Sequence, residues 1–188
     1  LGRHQLENAS VAIGIIEALI GQGWNIPFKN VASGISSVSW PCRMEILSRE
    51  PMIMVDGAHN PYSLRRLTHS LLEMVDRKRV IVIFGVSNDK NIDGMIDELQ
   101  TLDPIIIITN SRQPRAMEVN SLASMFNKKG FRVHVADNSW DAVKMAEKLS
   151  GKYDILVATG SLFVAAEVRE IIKGIDPELY YDFAKSHK

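Results

Sequence analysis

In the stretch MIMVDGAHNP, residues 52–61, an aspartate, a histidine and an asparagine fall within five positions at the end of an apolar run. A connection that only turns the chain needs a turn former and a helix cap, not a carboxylate, an imidazole and an amide together. Asp56 has the chemistry to bind ribose hydroxyls or a metal-bound water, and His59 to donate to a phosphate or carboxylate. Asn60 stands directly before Pro61, where it can cap a following helix with proline in the first turn. That cap is the ordinary alternative for Asn60, and it leaves Asp56 and His59 unexplained. Substitution of either is expected to cost more activity than stability.

Four other places carry usable chemistry, each beside a plainer reading. Lys90 in GVSNDKN can neutralise an anion from a strand-to-helix loop, although most lysines are simply solvated. In TGSLF, backbone N–H groups and the Ser161 hydroxyl can cradle a carboxylate or phosphate, or Ser161 can serve as a plain N-cap. Arg43 in WPCRMEIL can reach a phosphate bidentately; two residues on, Glu45 would share its strand face, and an ordinary ion pair is the alternative. Gln5 and Asn8, three apart, share one helical face and can read a purine edge, or can be solvated amides.

The elements that must hold these residues follow from periodicity. Residues 5–20 are apolar at helical spacing and end at GQG; a short helix follows, with Pro27 in its first turn and Gly34 near its end. Both periodicities break around residues 36–41. RMEILSRE then alternates as a half-exposed strand, and PMIMVD, RVIVIFG, PIIIIT, FRVHVA and YDILVAT are apolar runs separated by helical stretches. A final helix is expected from near Ser161 to about Lys173. Alternating strands and helices with continuous apolar strands predict an α/β fold, a Rossmann-like, mostly parallel sheet with helices on both faces and right-handed crossovers. Such a sheet takes its ligands at the carboxyl ends of its strands. There lie DGAHNP, GVSNDKN, TNSRQPRA, ADNSW and TGSLF.

The totals exclude several classes. The 188 residues carry 22 basic and 22 acidic side chains, and no basic run is interleaved with aromatics, so nothing favours a nucleic acid or an anionic membrane as partner. No segment reaches the roughly 20 apolar residues that cross a bilayer. The single cysteine, Cys42, excludes an internal disulfide and fits a cytoplasmic setting. The histidines have neither HxxxH nor HExxH spacing, so no metal ligands are assigned here. There is no GxxxxGK[ST] loop, no GxGxxG and no GxSxG elbow. The start, LGRHQLENAS, has no signal-peptide features and reads like the middle of a protein.

The order of motifs is more specific than any one of them. HQLENASVA, WPCRME, VDGAHNP, FGVSNDK and ATGSLFVAAEVRE, in that order, resemble the later part of folylpolyglutamate synthase/dihydrofolate synthase, a branch of the Mur ligase superfamily. The resemblance runs from residue 1 to about 173. It implies an ATP- and Mg2+-dependent ligase that joins L-glutamate to the γ-carboxylate of a folate through an acyl phosphate, or glutamate to dihydropteroate. It also implies a division into residues 1–39, the helical end of a central ATP-binding domain with its linker, and 40–188, the C-terminal Rossmann-like domain. By the same resemblance Gln5 and Asn8 contact the nucleotide, Arg43 approaches the ATP phosphates, Asp56 holds the ribose and His59 accompanies it. Asn60, Lys90 and Ser161 fall to the amino-acid substrate. Catalysis is thus expected of Asp56, His59 and Arg43.

Two departures stand out. Cys42 replaces the glycine of the family's PGR, which alters the backbone beside Arg43 if that glycine has a positive φ; a nucleophilic thiol there would lack an adjacent base. The phosphate-binding loop and the magnesium ligands belong to an N-terminal domain that this sequence does not contain, so the chain is expected to form one wall of a cleft and to be inactive alone. Two rival readings are a non-catalytic Rossmann-like module for a nucleotide or folate, and another Mur-type amino-acid ligase.

Overall fold

The structure, a computed structural model, describes residues 3–74 and 79–177. It divides into two compact units, Leu1–Pro41 and Cys42–Lys188. The first unit holds α1 (Arg3–Gly21) and α2 (Phe28–Ser37). Gly23, at φ 94°, ends the first helix, and Pro27 precedes the second in an extended conformation. Much of the apolar surface of α1 is uncovered, with Leu6, Val11 and Ile15 all more than half exposed.

The second unit is an α/β sandwich. Its elements are β1 (Glu45–Arg49), β2 (Met52–Val55), α3 (Pro61–Met74), β3 (Val80–Phe84), α4 (Ile92–Leu99), β4 (Ile105–Ile108), α5 (Val119–Lys128), β5 (Arg132–Val135), α6 (Ser139–Leu149), β6 (Ile155–Thr159) and α7 (Leu162–Lys173). The strands form one sheet in the order β1-β2-β6-β3-β4-β5, parallel except for β1, which pairs antiparallel with β2 through a bulge between Ile46 and Ser48.

The apolar runs occupy the centre because only a strand covered on both faces can bury every side chain. VIVIF, IIII and ILVAT are buried at every position. Alternate residues feed two cores: Val82, Phe84, Ile106 and Val157 pack against α3, α4 and α5, whereas Ile81, Ile83, Ile107 and Leu156 pack against α6 and α7. Burial of each such side chain contributes about 1.5–3 kcal/mol. FRVHVA departs from its expected reading as a covered strand. As β5 it lies on the sheet edge and is largely exposed, which its own Arg132 and His134 record.

Chain order fixes where a ligand edge must lie. The steps β2 to β3, β3 to β4 and β4 to β5 all move the same way along the sheet, so a constant crossover hand puts α3, α4 and α5 on one face. The step from β5 back to β6 runs the other way and puts α6 and α7 on the opposite face. Consequently the loops leaving the neighbouring strands β2 and β6 turn to opposite sides and leave a crevice at the carboxyl edge.

Candidate functional site

The crevice is built from three close-packed strand ends. Asp56 N donates to Ala158 O at 3.0 Å, Gly160 N to Ala58 O at 3.0 Å, and Gly85 N to Thr159 O at 3.3 Å. Two glycines make this approach possible. A Cβ at Gly160 (φ 97°) would lie 2.6 Å from Gly85 O, and one at Gly85 would lie 2.4 Å from Thr109 O.

Asp56 is the hinge pin of this edge. Its Oδ1 accepts from Ala58 N and its Oδ2 from Met44 N, both at 2.9 Å. The carboxylate therefore ties the DGAHNP loop to the turn that carries Arg43. A carboxylate has about four acceptor positions, which is the chemistry that ribose hydroxyls require of a partner. His59 is exposed, and its Nδ1 lies 2.9 Å from Gly57 O, so Nδ1 holds the proton when the ring is neutral and Nε2 is the acceptor.

Asn60 fills the cap role read from the sequence. Its Oδ1 accepts from Ser63 N at 2.8 Å, while Ser63 Oγ accepts from Asn60 N at 3.2 Å and His59 N at 3.1 Å. This reciprocal capping box starts α3 with Pro61 in its first turn. Asn91 caps α4 through Gly94 N, and Gly94 sits so close to Pro61 that a Cβ would come within 2.8 Å of its ring. Two helix N-termini thus meet beside the loop and favour negative charge there. Lys90, just before α4, pairs with Asp89 at 3.0 Å. Ser161 is buried and caps α7 by accepting from Val164 N at 3.1 Å.

Arg43 differs in setting from its sequence reading. The strand begins only at Glu45, and Arg43 stands exposed in a tight turn whose neighbours Cys42 and Met44 have φ of 58° and 45°. The shared strand face expected for Arg43 and Glu45 is therefore absent. Left-handed backbone at non-glycine residues costs about 1–2 kcal/mol each. The turn is held by Cys42 O accepting from Gly57 N at 2.7 Å, and by its side chains: Cys42 enters the core beneath α6 and α7, and Met44 the core beneath α3–α5. Burial, followed by the neighbouring Glu45 carboxylate, pushes the Cys42 thiol up to about 11. A thiol protonated at neutral pH argues against a nucleophilic role.

Asp56, His59, Asn60 and Ser161 thus stand on loops at the carboxyl edge of the sheet, with the Arg43 turn tied to them through Asp56 and with Lys90 on the adjoining loop. Gln5 and Asn8 lie on α1 in the other unit. Two networks were not foreseen. Glu45 accepts from Cys42 N at 2.9 Å, from Arg169 Nε at 2.9 Å and from Lys173 Nζ at 2.6 Å. Glu167, buried on α7, accepts from Arg112 N and from Ser139 Oγ, both at 2.7 Å, while Glu170 takes the Arg112 guanidinium. That second network borders a groove of 380 Å3 that also includes Trp140; Arg112, Asn138, Ser139 and Trp140 come from the TNSRQPRA and ADNSW strand ends, but none of the individually assigned site residues lines it. The available signal was AAEVRE inside an apolar helix, where acids on the buried face demand partners. Among the described residues, no group of three His, Cys, Asp or Glu side chains is placed to hold a metal ion.

Residues 42–162 match the family model described as the Mur ligase, glutamate ligase domain. The chain belongs to this family. The chain is also similar to parts of longer proteins. It is 29% identical to Mycobacterium tuberculosis folylpolyglutamate synthase complexed with ADP, with a TM-score of 0.84 over 94% of this chain and 41% of that one. Against E. coli FolC in complex with DHPP and ADP, the identity is 25% and the TM-score 0.79, covering 89% and 39% of the two chains. A curated dihydrofolate synthase/folylpolyglutamate synthase of Bacillus subtilis is 28% identical over 92% of this chain and 40% of its own length. The chain thus spans about two fifths of the relatives it matches.

Proposed function

We propose that this chain is the C-terminal part of an ATP-dependent ligase that joins L-glutamate to the γ-carboxylate of a folate, or to dihydropteroate. Residues 1–39 are then the helical end of a central ATP-binding domain, and 40–188 the glutamate ligase domain. The uncovered apolar residues of α1 support this division, because they fit burial against the remainder of such a domain. What carries the reading is the join between the Arg43 turn and the DGAHNP loop through Asp56, at the strand edge where an open α/β sheet takes its ligand. ADP and DHPP in the complexes of the relatives support a nucleotide and a folate-like substrate.

When bound, ATP supplies the phosphoryl group that activates the substrate carboxylate, and the amine of glutamate then displaces phosphate from the activated carbonyl. Arg43 faces the phosphates, its guanidinium suited to bidentate contact. Asp56 receives ribose hydroxyls, and the His59 imidazole stands beside them. Gln5 and Asn8 contact the base. The joined N-termini of α3 and α4, with Asn60, Lys90 and the Ser161 turn, favour the carboxylates of incoming glutamate. Mg2+ is assigned to ligands on the rest of the protein, together with the phosphate-binding loop. A cytoplasmic setting is part of the proposal and rests on the single cysteine. Separately, no helix among the described residues is long and apolar enough to cross a membrane.

The test is ligation of glutamate, followed by ADP release and product mass, with the 188-residue chain and with the same chain joined to its upstream coding sequence. Product from the longer protein alone is expected. Ligation by the 188-residue chain, or none by the longer protein with any folate or pteroate acceptor, would overturn the proposal.

A further inference from the structure

The Arg43 turn is strained by itself, and one of the contacts that hold it comes from a residue with no assigned role. Two of its three residues are non-glycine at positive φ, and its backbone is held at three points. Asp56 accepts from Met44 N, Gly57 donates to Cys42 O, and Glu45 accepts from Cys42 N. The Asp56 and Gly57 contacts come from the loop already assigned to the nucleotide. Glu45 is different, because its carboxylate is itself fixed from α7 by both Arg169 and Lys173. Arg169 Nε reaches both oxygens, at 3.1 and 2.9 Å, and only 18% of the Glu45 side chain is exposed.

We propose that Glu45, anchored by Arg169 and Lys173, is a positioning residue that holds the Cys42–Met44 turn and so aims Arg43 at the nucleotide. The aiming role rests on the proposed ligase function; the clamp does not. Removing the carboxylate frees the Cys42 amide and leaves the left-handed backbone to relax, swinging Arg43 with it. Glycine at position 42 adopts φ 58° without strain, so it lessens the need for the clamp. Cysteine at this position makes the clamp matter more here than where glycine stands.

The chain carries its own reporter, since Cys42 is its single cysteine and is buried in the turn. Alkylation of Cys42 by iodoacetamide in the 188-residue chain is expected to be slow, and to quicken about tenfold in Glu45→Ala by local opening. The rate is followed across pH, so that the loss of the Glu45 charge beside the thiol is separated from opening. Glu45→Gln, which keeps an acceptor for the Cys42 amide, should fall between. Arg79→Gln breaks a comparable ion pair, to Asp154, far from the turn, and should leave the rate within about twofold once any change in melting temperature is allowed for. Equal rates in wild type and Glu45→Ala, or an equal increase in Arg79→Gln, would sink the clamp whatever the enzyme does.

The aiming role is read in the longer protein. Glu45→Ala should raise KM for ATP or lower kcat at an unchanged KM for glutamate, and adding Cys42→Gly should restore a large part of the loss. Rescue by Cys42→Gly is not expected of a residue that merely stabilises the fold. No rescue, or loss in step with unfolded protein, would overturn the positioning role. If the longer protein has no ligase activity at all, the proposed function and the aiming role fail together while the alkylation result still decides the clamp.

Discussion

Replacement of Asp56 by alanine should cost both stability and activity, and the structure sets the size of the first. Each carboxylate oxygen accepts one backbone amide at 2.9 Å, from Met44 and from Ala58. Hydrogen bonds to a charged group contribute about 1.5–3 kcal/mol each, and the half-buried setting of Asp56 favours the low end. Losing both gives a total of ~3 kcal/mol, which for a unit of this size lowers the melting temperature by about 6–12 °C. Asp56→Asn keeps one acceptor but turns an amide NH2 toward the second backbone N–H, so roughly half of that loss is expected. Thermal and urea unfolding of the 188-residue chain measure both variants without any assay of function. A melting temperature within about 2 °C of wild type for Asp56→Ala would refute the stapling role and return Asp56 to ligand binding alone. The sequence had led to the expectation that activity would suffer more than stability here; the two amide bonds change that expectation for Asp56.

His59→Ala keeps the earlier form: the ring is exposed, so stability should change by no more than about 0.5 kcal/mol while ligation by the longer protein falls, and equal losses would point to a structural histidine. Gly160→Ala should destabilise by about 2–4 kcal/mol, measured by urea unfolding, because its Cβ would meet Gly85 O and the Phe84 ring in a left-handed conformation. Acid should weaken the fold through Glu45. Burial acts to raise its pKa, but Lys173, the Cys42 amide and Arg169 outweigh it and hold the carboxyl below the ordinary 4.5. A folded value below the unfolded one stabilises fully above about pH 4.5 and is lost as pH falls through the folded value. Urea unfolding across that range should show a shallower acid limb for Glu45→Gln, and an unchanged limb would contradict the assignment.

The sheet was legible because its central strands are apolar without interruption, and such runs fit only between two layers of helices. The Asn60–Pro61 cap was legible because capping is local chemistry, decided within four residues. What the sequence concealed was tertiary. Glu45 looked like the partner of its near neighbour Arg43, yet its carboxylate takes Arg169 and Lys173, more than 120 residues along the chain. Periodicity placed Arg43 in a strand, because a left-handed turn of cysteine and methionine has no signature in residue type. The glycine expected at position 42 was the clue, and the positive φ found there explains it. Strand β5 misled for the opposite reason, since an apolar alternating segment does not announce whether both of its faces are covered.

The most direct test of a nucleotide-facing wall is the kinetics of Arg43 variants in the longer protein. Arg43 is exposed in its turn, so Arg43→Ala should leave the melting temperature within about 2 °C of wild type. Loss of a guanidinium that faces the phosphates should nevertheless reduce kcat/KM for ATP by about 100-fold or more, with Arg43→Lys recovering only part of it. Unchanged ATP kinetics in Arg43→Ala, with the protein folded, would contradict the placement of this turn at the nucleotide.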